Sequence, residues 1–157
     1  MSMKRRTFLK GTLAAGSVGL AVGAGLLSPR AVLAAAWPKA AFESKSVDGA
    51  LKDLYGTGSA AANSAIKIKA PDIAENGAVT PVTVSASMPN VESISILASK
   101  NPTPLTSSYE LPAGTEPFVS TRIKMGKTAD VIAVVKAGGK VYSAKKEVKV
   151  TIGGCGG

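Results

Sequence analysis

Six or seven short stretches of this 157-residue chain place apolar side chains at every second position. The breaks between them carry Asn, Gly and Pro in turn-forming combinations, and no strand–helix alternation of the parallel-sheet kind runs through the sequence. These observations predict a mainly β protein: an immunoglobulin-like antiparallel β-sandwich, preceded by a short amphipathic helix and followed by a flexible glycine-rich arm.

The chain opens with an export signal. Lys4-Arg5-Arg6-Thr7-Phe8-Leu9-Lys10 is a twin-arginine pattern with Arg5 and Arg6 as its pair, and an uncharged stretch from Gly11 to Leu27 follows. Small residues at Ala34-Ala35-Ala36 supply a cleavage site after Ala34 or after Ala36. Residues 1–36 are therefore expected to be removed. The apolar run is too short and too dilute in large side chains for a membrane span. The expected compartment is the periplasm, with no membrane attachment after cleavage. This route carries proteins already folded, which suits a chain that travels with a folded partner.

Removal of residues 1–36 takes away five cations and no acid, so the net charge falls from +9 to +4. Half the basicity belongs to the signal. No basic run with interleaved aromatics remains, which argues against nucleic acid.

A short helix comes next. Across Phe42 to Tyr55, residues Val47, Ala50, Leu51 and Leu54 fall at i, i+3, i+4 and i+7 and share one face. Gly56 stands where a helix ends in a left-handed residue. Gly56 to Asn63 reads as a linker, so residues 37–60 are expected as helix and linker and 61–152 as the sandwich. In that second part Ile66 and Ile68 alternate with Lys67 and Lys69, Val82, Val84 and Ala86 with Thr83 and Ser85, and Ile94 and Ile96 with Ser93 and Ser95. Val119, Thr121, Ile123 and Met125 form another apolar face, and Val148, Val150 and Ile152 complete the set. Such alternation marks strands with one buried face. Val131-Ile132-Ala133-Val134-Val135 differs in being apolar on both faces, so its second face requires a cover, either the helix or a partner subunit.

The last five residues, 153–157, read as an arm. Cys155 is the single cysteine, and Gly153, Gly154, Gly156 and Gly157 flank it in pairs. Without a Cβ, glycine moves through backbone conformations closed to other residues, so the thiol can be turned into a narrow pocket of another protein. An internal disulfide is impossible. A prenylation signal is excluded, because that motif has three residues after its cysteine.

Chemistry of the catalytic kind is missing. The chain has no histidine, no nucleophile–base set and no phosphate-cradling loop, so catalytic residues and metal ligands are both expected to be absent. An unperturbed thiol of pKa near 8.5 is only about 3 % thiolate at pH 7. Cys155 thus reads as a substrate for enzymes that bring their own activation, with no cofactor beyond what becomes attached to it.

Several stretches together carry a family resemblance. They are the twin-arginine signal, Ala50 to Gly56, Pro71 to Ala78, Asn101 to Pro104, Ser120 to Met125, and Val148 to Thr151 before the GGCGG ending. In these the chain resembles the SoxY family of sulfur carriers, and the likeness spans nearly all of the mature sequence. The resemblance implies a non-catalytic subunit whose Cys155 is the site of covalent sulfur attachment, with the four glycines as access elements. It implies a heterodimer with a second small β-sandwich subunit, SoxZ. A c-type cytochrome would join thiosulfate oxidatively to the cysteine as an S-thiosulfonate, and a dimanganese hydrolase would release sulfate. In some organisms a sulfane dehydrogenase would oxidise the remaining sulfur.

Two other classes compete. A ubiquitin-like thiocarboxylate carrier also ends in Gly-Gly, but it needs ATP-dependent activation, which an exported chain does not meet. A structural immunoglobulin-like periplasmic module crosslinked through Cys155 accounts for the strands and the export signal, and leaves the paired glycines without a purpose.

Overall fold

The computed structural model describes residues 37–151, in which one compact unit begins at Pro38. The expected export signal, Ile152 and the expected arm with Cys155 lie outside the described residues.

Two helices open the fold, α1 (Lys39–Glu43) and α2 (Val47–Tyr55). The sequence pattern predicts one helix over Phe42–Tyr55; the chain instead breaks at Ser44-Lys45-Ser46. Ser46 is extended, and its hydroxyl accepts a hydrogen bond from the Gly49 amide at 3.1 Å, capping α2. Asp48 in the first turn adds favourable charge at that end. At the other end Gly56 is left-handed, φ 73°, and its N–H closes on the Lys52 carbonyl as expected.

Nine strands follow: β1 (Ala61–Ala62), β2 (Ile66–Lys69), β3 (Ile73–Ala74), β4 (Thr80–Ala86), β5 (Val91–Ala98), β6 (Leu105–Glu110), β7 (Phe118–Ile123), β8 (Ala129–Ala137) and β9 (Lys140–Val150). They form two sheets. The larger has the order β1-β9-β8-β5-β6 with β3 also on β9, and the smaller the order β2-β4-β7. Most pairings are antiparallel; β1 and β3 each add to β9 in parallel. The expected linker thus ends in a strand, with Ala61 and Ala62 paired to Tyr142 and Ser143. Hairpin β8–β9 turns on Gly138 and Gly139, at φ 55° and 74°, positions where a side chain would be strained.

The inner faces build the main core. Val82, Val84 and Ala86 of β4 pack with Ile94 and Ile96 of β5, Val119 and Ile123 of β7, and Val131, Ala133 and Val135 of β8. The outer face of the larger sheet has a core of its own. Ala50 and Leu51 of α2 and Ala41 of α1 pack on Leu97, Leu105 and Val134, with Val47 and Leu54 at its margin. This answers the question posed by the doubly apolar stretch 131–135. Its second face is covered by the helices.

The same cover corrects one reading. Ser93 and Ser95, expected on a solvated face, are buried beneath α2. The Tyr55 hydroxyl lies 2.7 Å from Ser95 Oγ, and Ser95 Oγ lies 2.8 Å from Ser108 Oγ. Ser93 donates to the Tyr55 oxygen at 3.3 Å. Burial without partners would cost each hydroxyl about 1–3 kcal/mol, and the network removes that cost. Leu51, 4 % exposed, is the larger of the two buried side chains that α2 adds to the helix-side core. Leu51→Ala is expected to lower stability by about 2–5 kcal/mol, read as a shift in the denaturant midpoint. A loss below about 0.5 kcal/mol would show that α2 is not an integral part of the fold.

At the end carrying the β8–β9 turn, Glu92 meets Lys136 at 2.7 Å and accepts the Gly139 amide at 2.9 Å. The Lys136 hydrogen bond, then the Gly139 amide, hold the Glu92 carboxyl below its usual range; the hydrogen bond to Glu92 raises Lys136. The contribution of Glu92 is complete above the ordinary carboxylate range and fades as pH falls through its lowered pKa. That of Lys136 is complete below the ordinary lysine range and is lost as pH rises through its raised one.

Candidate functional site: the root of the C-terminal arm

Cys155, Gly153, Gly154, Gly156 and Gly157 lie beyond the described residues, as do Arg5 and Arg6. What the structure shows is the strand end that leads into the expected arm. β9 runs between β8 and β3 and holds its register to the end: Val148 is paired with Ala129, and Val150 with Ala74.

Four bonds secure the last three described residues. Lys149 N donates to the Asp72 carbonyl at 2.9 Å and Thr151 N to the Ala74 carbonyl at 3.2 Å. Between them Val150 N donates to Thr128 Oγ1 at 2.9 Å. The Thr151 hydroxyl reaches the Glu75 carbonyl at 3.5 Å. Successive amides thus point to opposite flanks, as the pleat requires, and each finds an acceptor.

The flanks are themselves fixed. Lys146 Nζ donates to the Ala70 carbonyl at 2.6 Å and meets Asp72 at 3.0 Å, drawing the β2–β3 connection onto β9. Asn76 accepts the Ala78 amide at 2.9 Å and starts a 3₁₀ turn over Gly77–Val79. A Cβ on Gly77 would collide with the Met125 carbonyl oxygen and lie 2.8 Å from Val150 Cγ1, so glycine is required there for the close approach of the turn to β9. Met125 N donates to the Gly77 carbonyl at 2.7 Å. Asn101 joins the neighbouring loops, donating to the Lys124 carbonyl at 2.7 Å and accepting the Gly126 amide at 3.0 Å.

Four stretches that are scattered in sequence therefore meet at one end of the sandwich: 71–78, 101–104, 120–125 and 148–151. Ile73 and Val79, 55 % and 51 % exposed, stand on the flanking segments. Beside the Asn101 loop an open groove of about 570 Å³ is lined by Arg122 and Lys124 and, among the described residues, by no carboxylate. No three of His, Cys, Asp and Glu come together among the described residues. No described helix is long and apolar enough to cross a membrane.

A sequence model of one family, described as sulfur oxidation protein SoxY, matches residues 51–155. The chain belongs to the SoxY family. The solved structure of the sulfur carrier protein SoxY from Chlorobium limicola f thiosulfatophilum shares 46% sequence identity with this chain. It superposes with a TM-score of 0.60, over 67% of this chain and 96% of that one. A superoxide reductase (neelaredoxin) from Ignicoccus hospitalis shares 23% identity with a TM-score of 0.49, over 55% of this chain and 80% of that one. No curated protein matches. The SoxY match begins on α2, crosses both sheets and ends on Cys155, so it includes the arm root and the thiol in one span.

The root itself was only partly visible in the sequence. Strand β3 is two residues long, and the roles of Thr128 and Lys146 depend on pairings made across the sheet. The close approach at Gly77 could have been suspected from Asn76-Gly77, a turn signal set just before a strand.

Proposed function

We propose that this SoxY-family chain is a sulfur-compound carrier of periplasmic thiosulfate oxidation, and that it catalyses none of the steps itself. Cys155 is the attachment site. The observation that carries the reading is the family match ending on that cysteine, the only thiol in the chain. The arm root supports it, because the strand that leads to the arm is held on both flanks up to Thr151, and the glycine-paired cysteine follows at once.

Loading joins the thiolate to the outer sulfur of thiosulfate and gives a cysteine S-thiosulfonate; the two electrons released go to a c-type cytochrome. Hydrolysis by a dimanganese enzyme then splits the sulfur–sulfonate bond. Water supplies the oxygen of the departing sulfate, and a persulfide stays on Cys155. A sulfane dehydrogenase acts on that persulfide where the cell makes one. A SoxZ-like subunit completes a heterodimer. The groove bearing Arg122 and Lys124 favours anionic groups near the root.

Intact-mass and peptide mass spectrometry of protein from thiosulfate-grown cells tests this. Sulfur adducts are expected on Cys155. Finding that cysteine only in a disulfide would favour the crosslinked module, and modification of Gly157 a thiocarboxylate carrier. Export is tested separately. Arg5→Lys combined with Arg6→Lys is expected to leave the chain and its partner subunit in the cytoplasm on cell fractionation. A partner that reaches the periplasm regardless would disprove joint export and leave the carrier reading intact.

A further inference from the structure

Asn76-Gly77 is the single Asn-Gly pair in the chain; the other asparagines precede Ser64, Val91 and Pro102. Asparagine is a thermolabile residue, and the residue after it decides how easily it reacts. The backbone nitrogen of that next residue attacks the side-chain amide carbon, ammonia leaves, and a five-membered succinimide closes. Water then opens the ring at either carbonyl, giving aspartate or isoaspartate, with no oxidant or reductant involved. A glycine has no side chain to crowd the attack. Val91 is branched, and Pro102 has no N–H to give up. Asn76 is also exposed to the water that the second step consumes.

The fold holds this reactive pair in the wrong geometry. Ring closure needs a strongly negative ψ at the asparagine, which swings the next nitrogen over its side chain. Asn76 has φ −125° and ψ 99°, so the Gly77 nitrogen is turned away from the amide carbon. Contacts on both sides of the peptide keep it there. Asn76 Oδ1 accepts the Ala78 amide at 2.9 Å, and the Asn76 carbonyl accepts the Val79 amide at 3.3 Å. The Gly77 carbonyl accepts Met125 N at 2.7 Å. Upstream, Thr151 donates to the carbonyls of Ala74 and Glu75. To reach the reactive geometry, the turn over Gly77–Val79 has to lift away from Met125 and from the end of β9.

The way back is obstructed. In isoaspartate the main chain runs through the former side-chain methylene, so one more carbon stands between position 76 and Gly77. Gly77 is packed so closely that even a Cβ would meet the Met125 carbonyl oxygen and Val150 Cγ1. A close-packed contact of this kind has no room for a displaced turn.

We propose that Asn76-Gly77 is a latent deamidation site, closed while the 77–79 turn is seated against β9 and opened when the turn lifts, and that isoaspartate formed there bars the turn from reseating. A transient opening at the end of β9 becomes a permanent one. The proposal is independent of the carrier reading.

The test holds the exported protein at neutral pH for weeks, folded and in guanidinium chloride. Peptide mass mapping reads amide loss at position 76, and chromatography separates aspartate from isoaspartate. Loss is expected to be at least about tenfold slower in the folded chain. Asn101→Ala frees the Lys124 and Gly126 backbone beside Met125 and is expected to speed loss in the folded chain at least about threefold. Glu92→Gln, at the opposite end of the sandwich, is expected to leave the rate unchanged. In the purified isoaspartate form, the Met125 and Thr151 amides are expected to exchange hydrogen at least about tenfold faster than in the parent. Asn76→Ser keeps an oxygen for the Ala78 amide and cannot deamidate, so it is expected to preserve their protection through the same incubation. Equal rates in folded and unfolded chains overturn the proposal, as does an absence of loss at Asn76 in guanidinium chloride. So does an Asn101→Ala rate that matches the parent or Glu92→Gln. An isoaspartate form that protects Met125 as the parent does overturns it too.

Discussion

Cys155→Ser is expected to abolish sulfur loading completely while the domain folds, leaves the cell interior and binds its partner subunit as before. A serine hydroxyl offers no thiolate and forms no sulfur–sulfur bond, and the chain holds no second cysteine to take over. No disulfide is lost by the change. The described cores draw on residues between Ala41 and Val150, so the melting temperature is expected to match that of the parent. The measurement is thiosulfate-dependent cytochrome reduction with the remaining components of the system. A serine variant that still supports it would end the carrier reading.

The second large effect concerns the paired glycines. Gly154→Val and Gly156→Val each put a branched Cβ beside the thiol, which narrows the backbone choices and widens the chain. Alkylation by iodoacetamide and thermal melting are expected to stay as in the parent, since neither needs entry into a pocket. Turnover by the pathway enzymes is expected to fall about a hundredfold, the order of loss that a misplacement of about 1 Å produces. A crosslinked module would tolerate both substitutions, because disulfide formation needs only an exposed sulfur. Normal processing of both variants would therefore count against the arm.

Much of the sandwich was legible because its strands obey period two. Val82, Val84 and Ala86 are buried while Thr83 and Ser85 are half-buried, and Ile66 is buried beside exposed Lys67. The doubly apolar 131–135 correctly announced a sheet with a second cover. Three features escaped for identifiable reasons. β6 reads Leu-Thr-Ser-Ser-Tyr-Glu, hydroxyl-bearing on both faces, so no alternation marks it. β9 is mostly polar over Ser143 to Glu147 and is a strand there because the Gly138-Gly139 turn and β8 impose its pairing. The burial of Ser95 depends on a tyrosine 40 residues away. At the candidate site the situation was reversed. The thiol and its glycines stood out in the sequence at once, and the base that holds them became apparent only when four distant segments were seen together.

If Cys155 is the attachment site proposed above, the bonding of β9 through Thr151 sets a limit on enzyme architecture. If the strand end frayed, each released residue would add about 3.4 Å of tether and blur the distance from body to sulfur. Because Lys149, Val150 and Thr151 are all held, the tether has a defined zero point. Three residues separate Thr151 from Cys155; the four steps between them span about 14 Å when fully extended, and the side chain with its adduct adds only a few ångströms. On the proposed carrier reading, the chain would therefore act as a depth gauge. A reactive centre sunk much more than about 17 Å below the rim on which the body rests would be out of range, so enzymes sharing such a carrier would be expected to keep their chemistry within one common depth.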